Sequence, residues 1–312
     1  MLYKLSKNTS VLSKDIHRIT NKKRMRRKVS KAIESYIYLI PCVILCIIFG
    51  YYPFIKNVLY SFSLVDFNGN IVNFVGISNY KDLLTDKNFY ISLKNTLYHV
   101  AMVLPAGIII SYSLALLANN KRKFSSVYET MFTFPMAISM SAVSLIFKMM
   151  LNPRIGIINY IFKLDLKWFD DPKTAMISIS IVSVWMGIGF DFLLFLAALR
   201  GVPKEMVEAS EIDGARFWSK LKNIYIPMTS PTIFFVLCTN AVGAMMMSGP
   251  SLVITNGGPQ ASTKTLIFQL YETGITSTNY AYASTIGVIV FLMTFLLLLF
   301  CFRYEKKGVY YQ

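Results

Sequence analysis

Six stretches of the 312-residue chain are almost wholly apolar, and short polar runs separate them. A helix rises about 1.5 Å per residue, so about 20 such residues cross the hydrocarbon of a bilayer. The pattern predicts spanning helices near 35–52, 93–117, 127–150, 174–196, 231–247 and 281–302. The third and fifth are interrupted by Pro, Gly, Ser or Asn, which membrane helices tolerate where neighbours or water satisfy the freed backbone groups. The fold class is therefore an all-α membrane protein with six transmembrane helices. Three connections, about 62–92, 151–173 and the stretch before 281, are longer than hairpins and are expected to pack on the bundle or bind something. The first contains "NFVGISNYKDLLTDKNFY", which reads as a surface helix. No internal repeat is present.

Composition agrees with this reading. Hydrophobic residues make up 54% of the chain and charged ones 15%, against about 25% charged in soluble domains. The formal charge of +16 is concentrated in runs beside apolar stretches, beginning with "NKKRMRRKVSK" near the N-terminus. Such blocks set membrane topology, and no basic groove for nucleic acid follows. With the N-terminus inside, the cytoplasmic segments hold 22 of the 32 Lys and Arg. This favours an N-in, C-in arrangement: a basic tail at 1–34, a transmembrane domain at 35–303 and a C-terminal tail at 304–312.

One cytoplasmic stretch, 202–227, is a polar island: "VPKEMVEASEIDGARFWSKLKNIYIP". Pro203 suits a first helical turn and Glu205 complements the dipole there. Glu205, Glu208 and Glu211 recur every third residue, along one helical face. Asp213-Gly214 stops that helix, since Gly accepts the left-handed conformation. Phe217, Trp218, Leu221 and Tyr225 then recur at helical spacing, and Pro227 is expected to close the second element. A solvated surface loop is one reading of such a stretch. A row of carboxylates beside aromatics also makes a docking face for a basic groove on a partner.

"EASEIDGARFWSKLKNIYIP" resembles the EAA loop of ATP-binding-cassette importer permeases. Glu208, Ala209 and Gly214 match that pattern, Asp213 and Ala215 flank the glycine as in the sugar-importer subset, and Ile224 and Pro227 match its end. Ser210, Leu221 and Ile226 are mild departures. "FVGISNYKDLL", "SLKNTLYHV", "NPRIGIIN" and "TNGGPQASTKTLIFQLYETG" are similar to carbohydrate-uptake permeases, and "FDFLLFLAALRGVP", "TNGGPQASTKTLI" and "FRYEKKGVYYQ" look most like the glycerol-3-phosphate and oligosaccharide branch. The resemblance implies a type I importer membrane domain whose island is a two-helix coupling loop. It implies two ATPase subunits holding ATP and Mg, a second homologous permease, and an extracellular solute-binding protein. Glu208 would meet a basic residue of the ATPase, Gly214 would set the angle between the helices, and Phe217, Trp218 and Leu221 would pack in the ATPase groove or on the bundle.

Chemistry of other kinds finds little support. The chain has no G-x-x-x-x-G-K-[ST] phosphate loop, so no ATP cofactor is expected on it. Cys42, Cys46, Cys238 and Cys301 read as small buried hydrophobes, and with His17 and His99 they show no metal-ligand spacing. No nucleophile and base are paired, so no catalytic residue is assigned. Asp191 is the clearest ionisable group inside a predicted span. It either lines a substrate path or is hydrogen-bonded within the bundle. Asn240, with Thr239, could bind cargo hydroxyls or serve as glue between helices. The reading from another class, an ion-coupled carrier or channel, would call for midplane charges or an inverted repeat.

Overall fold

The computed structural model describes residues 36–120 and 125–308. The predicted tail at 1–34, the "KRKF" of one basic run and residues 309–312 lie outside them. The chain divides at Leu59 into two compact units. Helix α1, Tyr36–Ser61, accounts for the described part of the first unit. It runs past the predicted end at 52. Pro53 does not stop it, because the turn Ile47–Tyr51 is widened to a π-helix, with the Tyr52 N–H donating to the Ile47 carbonyl. A proline ring clashes with the carbonyl four residues back, and a widened turn relieves that clash. Cys42 and Cys46 of this helix are exposed, contrary to the expectation of buried cysteines, while Cys301 is buried.

The second unit opens with strands that an all-α reading did not include. Strands β1 (Ser63–Val65) and β2 (Ile71–Phe74) pair antiparallel. Asp66 organises their turn by accepting from the backbone N–H groups of Asn68 and Asn70 at 3.0 and 2.7 Å, and these bonds, Asn70's first, hold its carboxyl below the ordinary carboxylate pKa. Helix α2, Ser78–Thr85, is the surface helix expected in this loop. Asp86 then caps α3, Lys87–Asn119, accepting from Asn88 N–H.

The third predicted span is not one helix. Helix α4, Ser125–Ala137, and helix α5, Met140–Met150, meet at 103°. Ser139, extended, caps the second by accepting from Ala142 N–H. Pro135 before the break has no N–H to continue the ladder. After the short α6, Ile157–Phe162, Asp171 caps and Pro172 opens α7, Pro172–Arg200. Five helices among the described residues are long and apolar enough to cross a membrane, or six if the bent pair counts as one span.

Helices α3 and α7 make the most extensive packing in the molecule. Ala115 and Ala118 of α3 let the backbones approach, and Phe192, Phe195 and Leu199 of α7 fill the seam. Tyr112 meets Phe195 edge-on at 5.1 Å. Helix α8 is Lys204–Ile212, and helix α9, Phe217–Met245, adds Val236 to the core. The prediction of a broken fifth span at 231–247 fails, since α9 passes through Pro227 and Pro231. Pro227 therefore does not close an element. The turn Leu221–Tyr225 before it is again a π-helix, and Ile226 N–H donates to the Leu221 carbonyl. Both prolines stand two residues after a widened turn, so one physical device accounts for both corrections.

Helix α10, Leu266–Tyr271, and helix α11, Tyr280–Gly308, complete the unit. The connection before α10 packs on α3: Asn95 donates to the Ala261 and Lys264 carbonyls at 2.8 and 3.0 Å, and Leu266 N–H donates to Thr96 Oγ1 at 2.9 Å. Helix α11 carries an outward face of Phe291, Phe295, Leu296, Leu299 and Phe300, all exposed. An apolar face that long suits hydrocarbon rather than water.

Candidate functional site

The island is built as a helix, a corner and a second helix. Glu205 sits in the first turn of α8. The helix ends with Gly214 N–H donating to the Glu211 carbonyl at 3.0 Å and Ala215 N–H to the Ser210 carbonyl at 2.9 Å. This paired closure needs a left-handed residue, and Gly214 has φ +75°. The chain then re-enters helix at Phe217, which continues without interruption into the spanning part of α9. The second helix of the loop is thus the first turns of a candidate spanning helix, so continuous helix joins the corner to the span.

Its side chains divide by surroundings. Glu205, Glu208, Ala209, Glu211 and Asp213 are exposed, as are Phe217 and Trp218, whose rings meet edge-on at 5.5 Å. Ala215 is half-buried. Leu221 and Tyr225 pack against the α3–α7 core, Ile224 is buried and Pro227 half-buried. Of the predicted coupling residues, then, Leu221 belongs to the bundle and Phe217 and Trp218 to the free surface. Lys220 Nζ donates to Glu211 Oε1 at 2.9 Å, tying α8 to α9 across the corner. An ion pair this exposed contributes little to stability, so it biases the corner without locking it. That leaves the Glu208 carboxylate with no hydrogen bond or ion pair to the described residues. Beside α8 lies a cavity of about 540 Å³, bordered by Asn119, Arg200, Lys204, Glu208, Glu211 and Tyr225. Arg200 at the end of α7 is held to Glu129 of α4 by two contacts of 2.6 and 3.4 Å.

A Cβ added at Gly214 would meet nothing within 4 Å. Substitution there costs only the left-handed backbone, about 1–2 kcal/mol for an ordinary residue and less for Asn. Trypsin cleavage after the neighbouring Arg216 reads this out. Gly214→Val is expected to be cut several-fold faster than the parent and Gly214→Asn at nearly the parent rate. Equal rates for all three would remove the conformational role of Gly214.

The second polar feature lies within the bundle. A cavity of about 300 Å³ is formed between α3, α5, α7 and α9. Asp191 of α7 is buried and Asn240 Nδ2 of α9 donates to its Oδ2 at 2.6 Å. Gly107 of α3 leaves room for the pair, its side-chain position lying 3.8 and 4.0 Å from Asn240 and Asp191. The structure brings together two of the three predicted path residues. Thr239 is not with them. It is exposed on another face, its hydroxyl returned to the Phe235 and Val236 carbonyls. His99 and Ser183 also line the cavity. Neither was assigned to a site from the sequence, because a histidine or serine in an apolar run has no local partner to mark it. Among the described residues no group of His, Cys, Asp and Glu could hold a metal ion.

The family described as the binding-protein-dependent transport system inner membrane component matches residues 104–307. A probable ABC transporter permease protein of Pyrococcus horikoshii is 34% identical over 283 residues, spanning 87% of this chain and 95% of the relative. The sn-glycerol-3-phosphate transport system permease protein of Yersinia pestis is 32% identical over 281 residues, 89% of this chain and 95% of its own. Among solved structures, a chain of a bacterial ABC transporter involved in the import of the acidic polysaccharide alginate aligns with a TM-score of 0.80. The two cover 91% and 99% of each other at 21% identity, so what they share is the fold.

Proposed function

The chain belongs to the family of binding-protein-dependent transport inner-membrane components, and from that premise we propose that it is one of two homologous permeases in an ATP-driven importer. It is a multi-pass protein of the plasma membrane. In this reading the bent pair α4–α5 serves as one of six spans, both termini face the cytoplasm, and the island is the coupling loop. Two ATPase subunits supply ATP and Mg chemistry on their own sites, and an extracellular binding protein delivers a sugar, oligosaccharide or sugar-like solute. The relatives named for glycerol-3-phosphate and alginate transport support that cargo range, and an alginate transporter in complex with its periplasmic protein supports the outer partner.

The observation that carries the reading is the exposed acidic helix α8, turned by Gly214 onto a helix that crosses the membrane. A docked subunit that opens and closes on α8 would move α9 with it. The test is isolation of the full chain from its own membrane in mild detergent. An ATP-hydrolysing subunit and a second permease are expected to accompany it, and replacing 205–215 with a Gly-Ser run should release the ATPase. That replacement leaves α9 intact. Solute transport by the chain alone in liposomes, with an ion gradient and no ATP, would establish an ion-coupled carrier instead.

A further inference from the structure

The cavity between α3, α5, α7 and α9 has a one-sided hydrogen-bonding character. Ser180 donates its one hydroxyl proton to the Met176 carbonyl at 2.8 Å, so His99 Nδ1, 3.0 Å from the same oxygen, is the donor to it. His99 is 1% exposed, and its Nε2 has no partner among the described residues. In this tautomer Nε2 is an acceptor. A buried acceptor left unmatched costs free energy, so its presence beside a cavity points to a transient donor. Ser183 likewise spends its proton on the Ile179 carbonyl and keeps only lone pairs. Asp191 receives Asn240 on one oxygen and keeps acceptor capacity on the other. Against these acceptors the lining sets the hydroxyl of Ser248 and the second N–H of Asn240, and among the described residues it contains no lysine or arginine.

Resting on the importer reading, we infer that this cavity is the passage site for an uncharged polyhydroxylated cargo, whose hydroxyls donate to His99 Nε2, Ser183 Oγ and Asp191. A phosphate or uronate has no cation to meet there and would face the Asp191 carboxyl. Methyl-bearing side chains such as Val103 and Met246 supply the apolar part of the wall, suited to sugar C–H faces. The cargo class thereby differs from the anions for which two of the relatives are named.

Cells producing the whole importer, with and without this chain, give the test. Uptake of labelled maltotriose and raffinose is compared with that of sn-glycerol 3-phosphate and an alginate trisaccharide. Chain-dependent uptake is expected for the neutral probes only. His99→Phe fills the space and removes the acceptor, and should cut the initial rate about tenfold at unchanged membrane abundance. His99→Gln keeps an acceptor and should retain most of it. Chain-dependent uptake of either anion, or a parental rate in His99→Phe, overturns the inference and leaves the importer standing. Uptake of no probe depending on the chain overturns the importer reading, and this inference with it. The probe comparison uses the unaltered chain and so remains decisive if a variant fails to reach the membrane.

Discussion

Glu208→Lys is expected to lower cargo uptake about a hundredfold while the chain still reaches the membrane. Glu208 is exposed on α8 and its carboxylate makes no ion pair or hydrogen bond with the described residues, so the loss of that carboxylate removes nothing from the fold. On the proposed docking role, its value lies in a contact with the partner subunit. One-sided loss of a charge pair desolvated at an interface costs about 2–5 kcal/mol. Each 1.36 kcal/mol is about tenfold, so a hundredfold loss, about 2.7 kcal/mol, lies in the lower part of that range. Glu208→Gln should lose less, because the amide still hydrogen-bonds to a basic partner. Glu211→Gln should act differently: it frees Lys220 and loosens the corner, a deficit that shows in trypsin cleavage after Arg216 as well as in uptake. The measurements are initial uptake rate, membrane abundance, and the amount of ATPase recovered with the chain. Undiminished uptake by Glu208→Lys would sink the assignment of α8 as the docking element.

The island was legible because its signals are local. Three acids at helical spacing and an Asp-Gly stop fix α8 and its corner from neighbours within about ten residues, and Gly214 takes the left-handed backbone that reading requires. The spans were legible from apolar length alone, with ends displaced where proline misled. Pro227 read as a terminator and the first span was expected to end near 52, just before Pro53, yet each proline follows a π turn that absorbs its clash. That compensation depends on backbone geometry that no residue type announces. The hairpin β1–β2 was missed because its strands are three and four residues long, too short to show alternation. The cavity lies at the other extreme. His99 and Ser180 are separated by 81 residues, and Asp191 and Asn240 by 49, so pairing appears only when α3, α7 and α9 are brought side by side. Asp191 and Asn240 were each noticed for being polar in grease, whereas Thr239 was noticed for adjacency to Asn240. A helix rotates about 100° per residue, which places Thr239 on a different face.

Whether the Asp191–Asn240 pair is glue or passage is decided by a double-mutant cycle with opposed expectations for stability and transport. Asn240→Leu removes the donor 2.6 Å from Asp191 Oδ2 and leaves a buried carboxyl without its partner, a loss of about 2 kcal/mol. Asp191→Leu strands the amide and should cost about 1–2 kcal/mol. Together the two substitutions remove both polar groups and line the space with apolar atoms, so their combined cost falls below the sum by about 1–2 kcal/mol. Thermal unfolding of the detergent-solubilised chain measures each corner of the cycle. Uptake is expected to go the other way. The double variant should be about as stable as either single one and still carry cargo at least about tenfold more slowly, because the acceptor and the orienting amide are both gone from the cavity wall. Parental uptake by a stable double variant would reduce the pair to a clamp between α7 and α9. Strictly additive losses of stability would show that the contact does not couple the two helices at all. The predicted combination, a less than additive loss of stability with lost transport, separates a group kept for the fold from one kept for the cargo.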